Sequence, residues 1–93
     1  MEFFDTLDEL IRKRKEDRPE GSYTTELFDQ GIDRILRKVG EEAGEVIIAG
    51  KNQDKEEITN ETADLMYHLI VHLHAQGLSL KDVTKVLQDR HTP

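Results

Sequence analysis

The segment that decides the fold reads IDRILRKVGEEAGEVIIAGKN over residues 32–52. Its apolar residues recur every three to four positions, which places them on one face of a helix. They are Ile32, Ile35, Leu36, Val39, Ala43, Val46 and Ile47. The pattern stops near Gly50-Lys51-Asn52, where glycine and asparagine are frequent helix terminators. The segment therefore predicts a strong amphipathic helix.

A second long helix is predicted next along the chain, from about Asp54 to Ala75. Its apolar residues occupy nearly every side, which is typical of a helix surrounded by other helices. Earlier in the chain, before residues 32–52, a first helix should run to about Asp17 and end at Pro19-Glu20-Gly21. Two long helices and a shorter one thus account for most of the chain.

Two further helices are short. Residues 22–25 supply hydroxyl groups suited to capping, and a helical piece around Glu26 to Gln30 should follow them. The last helix should begin after Ser79 as its cap. We find no alternating run with hairpin turns, so we expect no sheet. The sequence predicts an all-α fold, a small helical bundle of four to five helices that is completed by dimerisation.

Length and composition limit the class of protein. A chain of 93 residues is the size of one domain, over residues 1–93, and its core is modest, so we expect a homodimer. The net charge of −7 argues against a nucleic-acid-binding protein. The chain has no cysteine, and no apolar run approaches the ~20 residues that span a bilayer. We therefore expect a cytoplasmic protein that binds neither membrane nor nucleic acid.

Two acidic patterns lie on the two long predicted helices. Glu41, Glu42 and Glu45 form EExxE on the first, and Glu61 and Asp64 form ExxD on the second. Positions three apart on a helix are offset by about 60° around the axis and ~4.5 Å along it, so each helix presents two carboxylates to one side. Two antiparallel helices would bring these carboxylates together. Such oxygen ligands suit Mg²⁺, and two or more metal ions can clamp a phosphoanhydride.

The acidic spacing alone is weak evidence, because 20 of the 93 residues are acidic. The all-round apolar character of the second long helix adds weight, since it implies that Glu61 and Asp64 are partly buried. Buried carboxylates are costly unless they are paired, protonated or bound to metal. A satisfied salt bridge is the alternative, and we favour a metal site.

Histidines continue the same stripe of the second long helix. His68 follows Asp64 by four residues, and His72 follows His68 by four. A histidine on an apolar helix is more often a hydrogen-bonded core or interface residue than a ligand. His68 and His72 have the spacing of two zinc ligands, but no third ligand is evident. The Glu-x-x-His motif of di-iron carboxylate bundles does not occur in the sequence, which argues against an oxidase or ferritin-like protein.

Several basic residues lie where a phosphate would need them. Lys38 precedes Glu42 by one turn on the same side, and Lys51 closes the helix, where a cation also complements the helix dipole. An ordinary solvated lysine is the alternative for each, and it weighs more for Lys51. The basic run 12–15 is interpreted first as a solvated helix end.

These motifs together match one known family. The matching segments are Gly31-Ile32, Lys38-Val39-Gly40-Glu41-Glu42-Ala43-x-Glu45, Ile48-Ala49-x-Lys51, Glu61-x-Ala63-Asp64-Leu65-x-Tyr67-His68-Leu69-x-Val71, Pro19-x-x-Ser22-Tyr23-Thr24 and Leu87-x-x-Arg90. Over most of its length the chain resembles the phosphoribosyl-ATP pyrophosphatase family of the MazG-like all-α pyrophosphohydrolases. EExxE with ExxD is shared across that superfamily, whereas the Ser-Tyr-Thr segment and Ala-Asp-Leu-x-Tyr-His-Leu indicate the narrower family.

The resemblance implies Mg²⁺-dependent hydrolysis of 1-(5-phosphoribosyl)-ATP to 1-(5-phosphoribosyl)-AMP and pyrophosphate, the second step of L-histidine biosynthesis, by a dimer. It implies four Mg²⁺ ligands, which are Glu42, Glu45, Glu61 and Asp64. Glu41 would be an outer ligand or the group that orients or deprotonates the attacking water. Lys38 and Arg90 would offset charge on the leaving pyrophosphate, and Lys51 and His68 complete the predicted substrate-binding set.

Two other functions stay open. A relative in the same superfamily that hydrolyses ordinary or damaged nucleoside triphosphates for housekeeping would carry the same metal site. A non-catalytic helical dimerisation module would carry the acids merely as a solvated face. A substrate panel distinguishes the housekeeping hydrolase from the family function. The response of the melting temperature to Mg²⁺ distinguishes the non-catalytic module from both enzymes.

Overall fold

The computed structural model describes residues 2–93, and Met1, which belongs to the predicted domain 1–93, lies outside the described residues. The described chain contains five α-helices and no strand, which confirms the predicted all-α fold. The helices are α1 (Glu2–Asp17), α2 (Tyr23–Gln30), α3 (Ile32–Asn52), α4 (Lys55–Ala75) and α5 (Leu80–His91). None of them has the length and apolarity needed to span a membrane.

α2 begins earlier than the sequence predicted, at Tyr23 rather than near Glu26. Ser22 is its N-cap, and the Ser22 hydroxyl oxygen accepts a hydrogen bond from the Thr25 N–H at 3.2 Å. The helix therefore starts directly after the first hydroxyl residue instead of after all four. It ends at Gly31, whose φ of 94° would strain any residue with a side chain, and this break turns the chain into α3.

A two-residue turn joins α3 to α4 and makes them antiparallel neighbours. Gln53 has a left-handed backbone conformation with φ 57°, and its N–H donates to the Gly50 carbonyl at 3.2 Å. Asp54 then caps α4, because its Oδ1 accepts a hydrogen bond from the Glu57 N–H at 3.1 Å. This turn positions the acidic residues of α3 opposite those of α4.

The core lies between α1, α2, α3 and α4. Its fully packed side chains are at most 2% exposed, and they are Ile11, Leu27, Ile35, Ile70 and Val71. Burial of each such side chain contributes about 1.5–3 kcal/mol. The prediction that α4 is surrounded on nearly every side holds for only part of its circumference, since Leu69 is 39% exposed. The other helices of a single copy cover only the side of α4 that faces this core.

A buried polar contact ties α1 to α4 and α5. Asp8 is 5% exposed, and its Oδ1 accepts hydrogen bonds from His74 Nε2 at 2.7 Å and from the Leu80 N–H at 3.0 Å. Ser79 precedes α5 as predicted, and its N–H donates to the Asp82 carboxylate at 2.8 Å. These bonds fix the start of α5, a helix that buries none of its own residues in a single copy.

Replacing Asp8 with alanine should destabilise the fold, because it leaves His74 and the Leu80 N–H without their shared acceptor. We expect the free energy of unfolding to fall by about 2–4 kcal/mol. Urea unfolding at a fixed protein concentration measures it. Asp5 is exposed on the same helix and is the matched control, for which alanine should cost less than ~1 kcal/mol. Equal losses in the two variants would contradict the role given to Asp8.

Candidate functional site

Three carboxylates from α3 and α4 meet in one group, which we call the carboxylate cluster. Glu42 and Glu45 lie one turn apart on α3, and Glu61 comes from α4. One oxygen atom of each lies within 4.8 Å of the oxygen atoms of the other two. Negative charges at this separation repel one another, so the cluster calls for a compensating cation or proton.

Two oxygen atoms of the cluster are buried without a hydrogen-bond donor. Glu42 is 6% exposed, and its Oε1 lies 3.1 Å from Lys38 Nζ, whereas its Oε2 has no partner within residues 2–93. Glu61 Oε2 is likewise buried and unpartnered there. Buried polar atoms are normally hydrogen bonded, so when all three glutamates are ionised these two oxygens fit a ligand that the protein itself does not supply. Carboxylate oxygens in this arrangement suit a hard divalent cation.

The pKa values in the cluster follow from this crowding. Glu61 and Glu42 raise the pKa of Glu45 to about 7 through hydrogen bonding and charge. Burial opposes the ionisation of Glu42, but the Lys38 ammonium and hydrogen bonding with Glu45 outweigh burial, and the pKa of Glu42 is lowered. The hydrogen bond to Glu42 raises the pKa of Lys38. Below about pH 7 the cluster therefore carries a proton on Glu45 when no cation neutralises it.

Asp64 does not join the three glutamates. It is exposed, so the prediction that it is partly buried is wrong, and its carboxylate lies outside the group that meets within 4.8 Å. Glu61, by contrast, is partly buried as predicted. Asp64 lies ~4.5 Å further along α4 than Glu61, and its side chain is one methylene group shorter. Helical spacing predicts that Glu61 and Asp64 lie on one side of α4, but it does not predict which of the two carboxylates reaches the cluster.

The predicted basic and catalytic residues lie at different distances from the cluster. Glu41 is exposed on α3, and its Oε2 is 3.6 Å from Lys38 Nζ, so both residues border the cluster. Lys51 is exposed in the last turn of α3, ~9 Å along the axis beyond Glu45. Arg90 is exposed in the last turn of α5, a helix whose main contact is with α1.

His68 is a buried, hydrogen-bonded histidine. Its Nδ1 lies 2.7 Å from the Asp64 carbonyl oxygen, its Nε2 lies 3.1 Å from the Tyr23 hydroxyl, and the residue is 5% exposed. Both ring nitrogens thus face protein atoms, which leaves none for a zinc ion, and the part of His68 in substrate binding stays a prediction. His72 is not its metal-binding partner either, because His72 Nε2 faces the Gln76 side-chain amide at 3.4 Å.

Comparison with known proteins identifies the family. The family model described as Phosphoribosyl-ATP pyrophosphohydrolase (PRA-PH) matches residues 4–91. The chain belongs to this phosphoribosyl-ATP pyrophosphohydrolase family. The match reaches all five helices and includes the whole carboxylate cluster. The resemblance found in the sequence is thereby confirmed.

Relatives in the PRA-PH family share more than half of their aligned residues with this chain. The "Phosphoribosyl-ATP pyrophosphatase" of Leptospira biflexa serovar Patoc is 55% identical over 92 residues, which cover 99% of this chain and 100% of that relative. The protein of the same name from Streptococcus sanguinis is 58% identical over 86 residues, 92% of this chain and 83% of the relative. The "Histidine biosynthesis bifunctional protein HisIE" of Bacillus subtilis is 57% identical, but this chain spans only 41% of it.

The sequence did not single out Tyr23, the first residue of α2, as a site residue. The Tyr23 hydroxyl lies 3.1 Å from His68 Nε2. The signal in the sequence was its place after the capping Ser22, within the Ser-Tyr-Thr segment of the resemblance. Nothing in a single sequence links it to a histidine 45 positions away.

Glu45→Gln should stabilise the metal-free chain above neutral pH. Folding raises the pKa of Glu45 from its ordinary value of 4.5 to about 7, so the parent chain loses stability as the pH rises through this interval. Glutamine does not ionise, so the melting temperature of the variant should exceed that of the parent by a few degrees at about pH 8. The difference should shrink towards zero at about pH 4. Thermal unfolding of the parent and the variant in the presence of EDTA measures the difference in melting temperature at each pH.

The matched control for this prediction is Glu56→Gln, at an exposed position in the first turn of α4 that points about 140° away from Glu61. It removes the same charge away from the cluster and should not stabilise the chain. If the parent and Glu45→Gln melt at the same temperature at about pH 8, the proposed crowding of carboxylates is wrong.

Proposed function

We propose that the chain, as one domain over residues 1–93, hydrolyses 1-(5-phosphoribosyl)-ATP to 1-(5-phosphoribosyl)-AMP and pyrophosphate, the second step of L-histidine biosynthesis. Water would add to the α–β phosphoanhydride, whose bridging P–O bond breaks and releases pyrophosphate. The observation that carries the proposal is the carboxylate cluster with two unpartnered buried oxygens, in a member of the PRA-PH family. Relatives named Phosphoribosyl-ATP pyrophosphatase support this choice of substrate.

We further propose Mg²⁺ as the cation of the cluster. Glu42, Glu45 and Glu61 would hold it, with Asp64 as a further carboxylate one turn along α4 from Glu61. Mg²⁺ prefers oxygen ligands and usually takes a few carboxylates, which leaves positions for water and phosphate oxygens. When bound, Mg²⁺ supplies neutralisation of the triphosphate and a lowered pKa for a bound water.

Lys38 and Glu41 would act from the edge of the cluster. Glu42 holds the Lys38 ammonium at 3.1 Å, where its charge offsets negative charge on the substrate phosphates. Glu41 is exposed beside Lys38, and a carboxylate in this place can orient or deprotonate the attacking water. Lys51 and Arg90, which lie at the ends of their helices, stay predictions as further phosphate-binding residues.

Pyrophosphate release from phosphoribosyl-ATP with Mg²⁺ tests this function. Glu42→Gln should lower kcat/KM at least ~100-fold, because it removes a ligand charge and the anchor of Lys38. Asp64→Asn should lower kcat/KM to a similar degree, because we place Asp64 among the ligands. Glu56→Gln is the control and should keep kcat/KM within about two-fold of the parent. A fully active Glu42→Gln variant would refute the proposed site.

Substrate preference and the Mg²⁺ response separate the alternatives. Release confined to phosphoribosyl-ATP supports the proposal, whereas release from common dNTPs alone would keep the metal site and indicate a housekeeping enzyme. Millimolar Mg²⁺ should raise the melting temperature of the parent chain but not that of Glu45→Gln. An inactive parent chain that does not respond to Mg²⁺ would favour the non-catalytic dimerisation module.

We also propose that the active unit is a homodimer, and we retain the prediction that it is cytoplasmic. Apolar side chains of α4 and α5 line an open groove of about 410 Å³, among them Met66, Leu69, Leu73, Val83 and Leu87. Leu69, Val83 and Leu87 are 39%, 37% and 50% exposed. A second copy seated here would bury apolar surface that a chain of 93 residues cannot cover by itself.

Leu69→Glu should convert the dimer to a monomer, because it places a charge in the apolar groove. Sedimentation velocity measures the change as a halving of the mass. Leu10 has a similar exposure, 41%, on α1 outside the groove, and Leu10→Glu should stay dimeric. A Leu69→Glu chain that sediments as the parent does would rule out this face as the interface.

A further inference from the structure

Three rings form an aromatic group between α2 and α4. The Tyr23 ring stacks on Tyr67 with centroids 6.3 Å apart, and it meets His68 edge to face at 5.9 Å. Tyr67 and His68 are 5.0 Å apart. Tyr23 nevertheless is 44% exposed. One side of its ring is therefore packed against the protein while the rest is open to solvent.

The hydrogen bonds of His68 determine what the Tyr23 hydroxyl can offer. The Asp64 carbonyl only accepts, so the His68 Nδ1 that lies 2.7 Å from it carries a proton. In the neutral ring Nε2 is then the acceptor, and the Tyr23 hydroxyl donates to it at 3.1 Å. The Tyr23 oxygen therefore presents lone pairs alone to a ligand. The Tyr23 oxygen therefore repels the phosphate oxygens of a ligand and attracts a ligand N–H or O–H group, which can donate a hydrogen bond to it.

Tyr23 is linked through α4 to the residues that would hold the phosphates. Its partner His68 is bonded at 2.7 Å to the backbone carbonyl of Asp64, which lies one turn from Glu61 on α4. Glu61 in turn meets Glu42 in the carboxylate cluster, and Glu42 holds Lys38 at 3.1 Å. A nucleoside joined to a triphosphate at the cluster thus has an immobilised aromatic ring and an acceptor oxygen within its reach.

We propose that Tyr23 is a nucleoside-binding residue of this site, which stacks on the purine base and accepts a hydrogen bond from the nucleoside, and that His68 is its positioning residue. The inference rests on the proposed function. It adds a binding residue for the nucleoside half of the substrate, which the carboxylates do not bind. It assigns the predicted part of His68 in substrate binding to an action through Tyr23. Aromatic rings suit this role because every base has a face on which to stack.

Steady-state kinetics separate the nucleoside half of the substrate from the pyrophosphate half. Tyr23→Leu should raise KM for phosphoribosyl-ATP about 10-fold or more, with kcat within about three-fold of the parent. The inhibition constant of inorganic pyrophosphate should stay within about two-fold, because Tyr23 does not contact that half. Tyr67→Phe keeps the packing ring and is the control with KM near that of the parent. An unchanged KM, or an equal rise in the inhibition constant, would overturn the proposal.

His68→Phe tests the positioning role, since it keeps a ring but removes both hydrogen bonds. It should raise KM as much as Tyr23→Phe does, and the double variant should be no worse than either single variant. A merely structural role for His68 would instead give additive losses or a fall in kcat with KM unchanged, and either result would overturn the positioning role.

Tyrosine fluorescence tests binding without turnover, because the chain has two tyrosines and no tryptophan. AMP with Mg²⁺ should quench the emission of Tyr67→Phe, in which Tyr23 is the emitter, and leave that of Tyr23→Phe unchanged. If the variants show this pattern but the parent chain does not hydrolyse phosphoribosyl-ATP, the proposed function is refuted and the nucleoside site is supported. Quenching in both variants or in neither would overturn the site whatever the activity.

Discussion

Repulsion among three carboxylates is the constraint on which the rest of the structure depends. Glu42, Glu45 and Glu61 come within 4.8 Å of one another, and two of their oxygens are buried without a donor among the described residues. A free pair of helices would splay to separate these charges. The short turn between α3 and α4 and the packed side chains Ile35 and Ile70 oppose that movement. Apolar burial thus offsets the electrostatic cost of the site.

The other helices support the α3/α4 pair and extend its chemistry. α1 supplies Ile11 to the core and is tied to α4 through the buried contact of Asp8 with His74. α2 is short, yet its capped start holds Tyr23 against Tyr67 and His68 of α4. α5 covers little in a single copy and leaves an apolar groove against α4. Core, site and candidate interface therefore share α4.

Stability and activity make opposite demands on the cluster. The raised pKa of Glu45 means that its ionised form costs the metal-free fold stability, yet the ionised form is the one a metal ion binds. Such a conflict is usual where a site is built for a ligand rather than for the fold. Lys38 relieves part of it, because its ammonium compensates Glu42 at 3.1 Å without occupying the second oxygen of that carboxylate.

The sequence by itself determined the helices and the acidic motifs that they carry. An apolar period near 3.6 residues, a capping serine before α5 and terminators after α3 act within a few residues, so they are visible without a structure. The tertiary structure alone decided which side chains meet. Helical spacing fixes angle and rise within one helix but not the gap between helices, so it could not show that Glu61 reaches the cluster while Asp64 stays exposed. The partners of His68 and the place of Tyr23 depend on a contact between residues 45 positions apart, which only packing brings about.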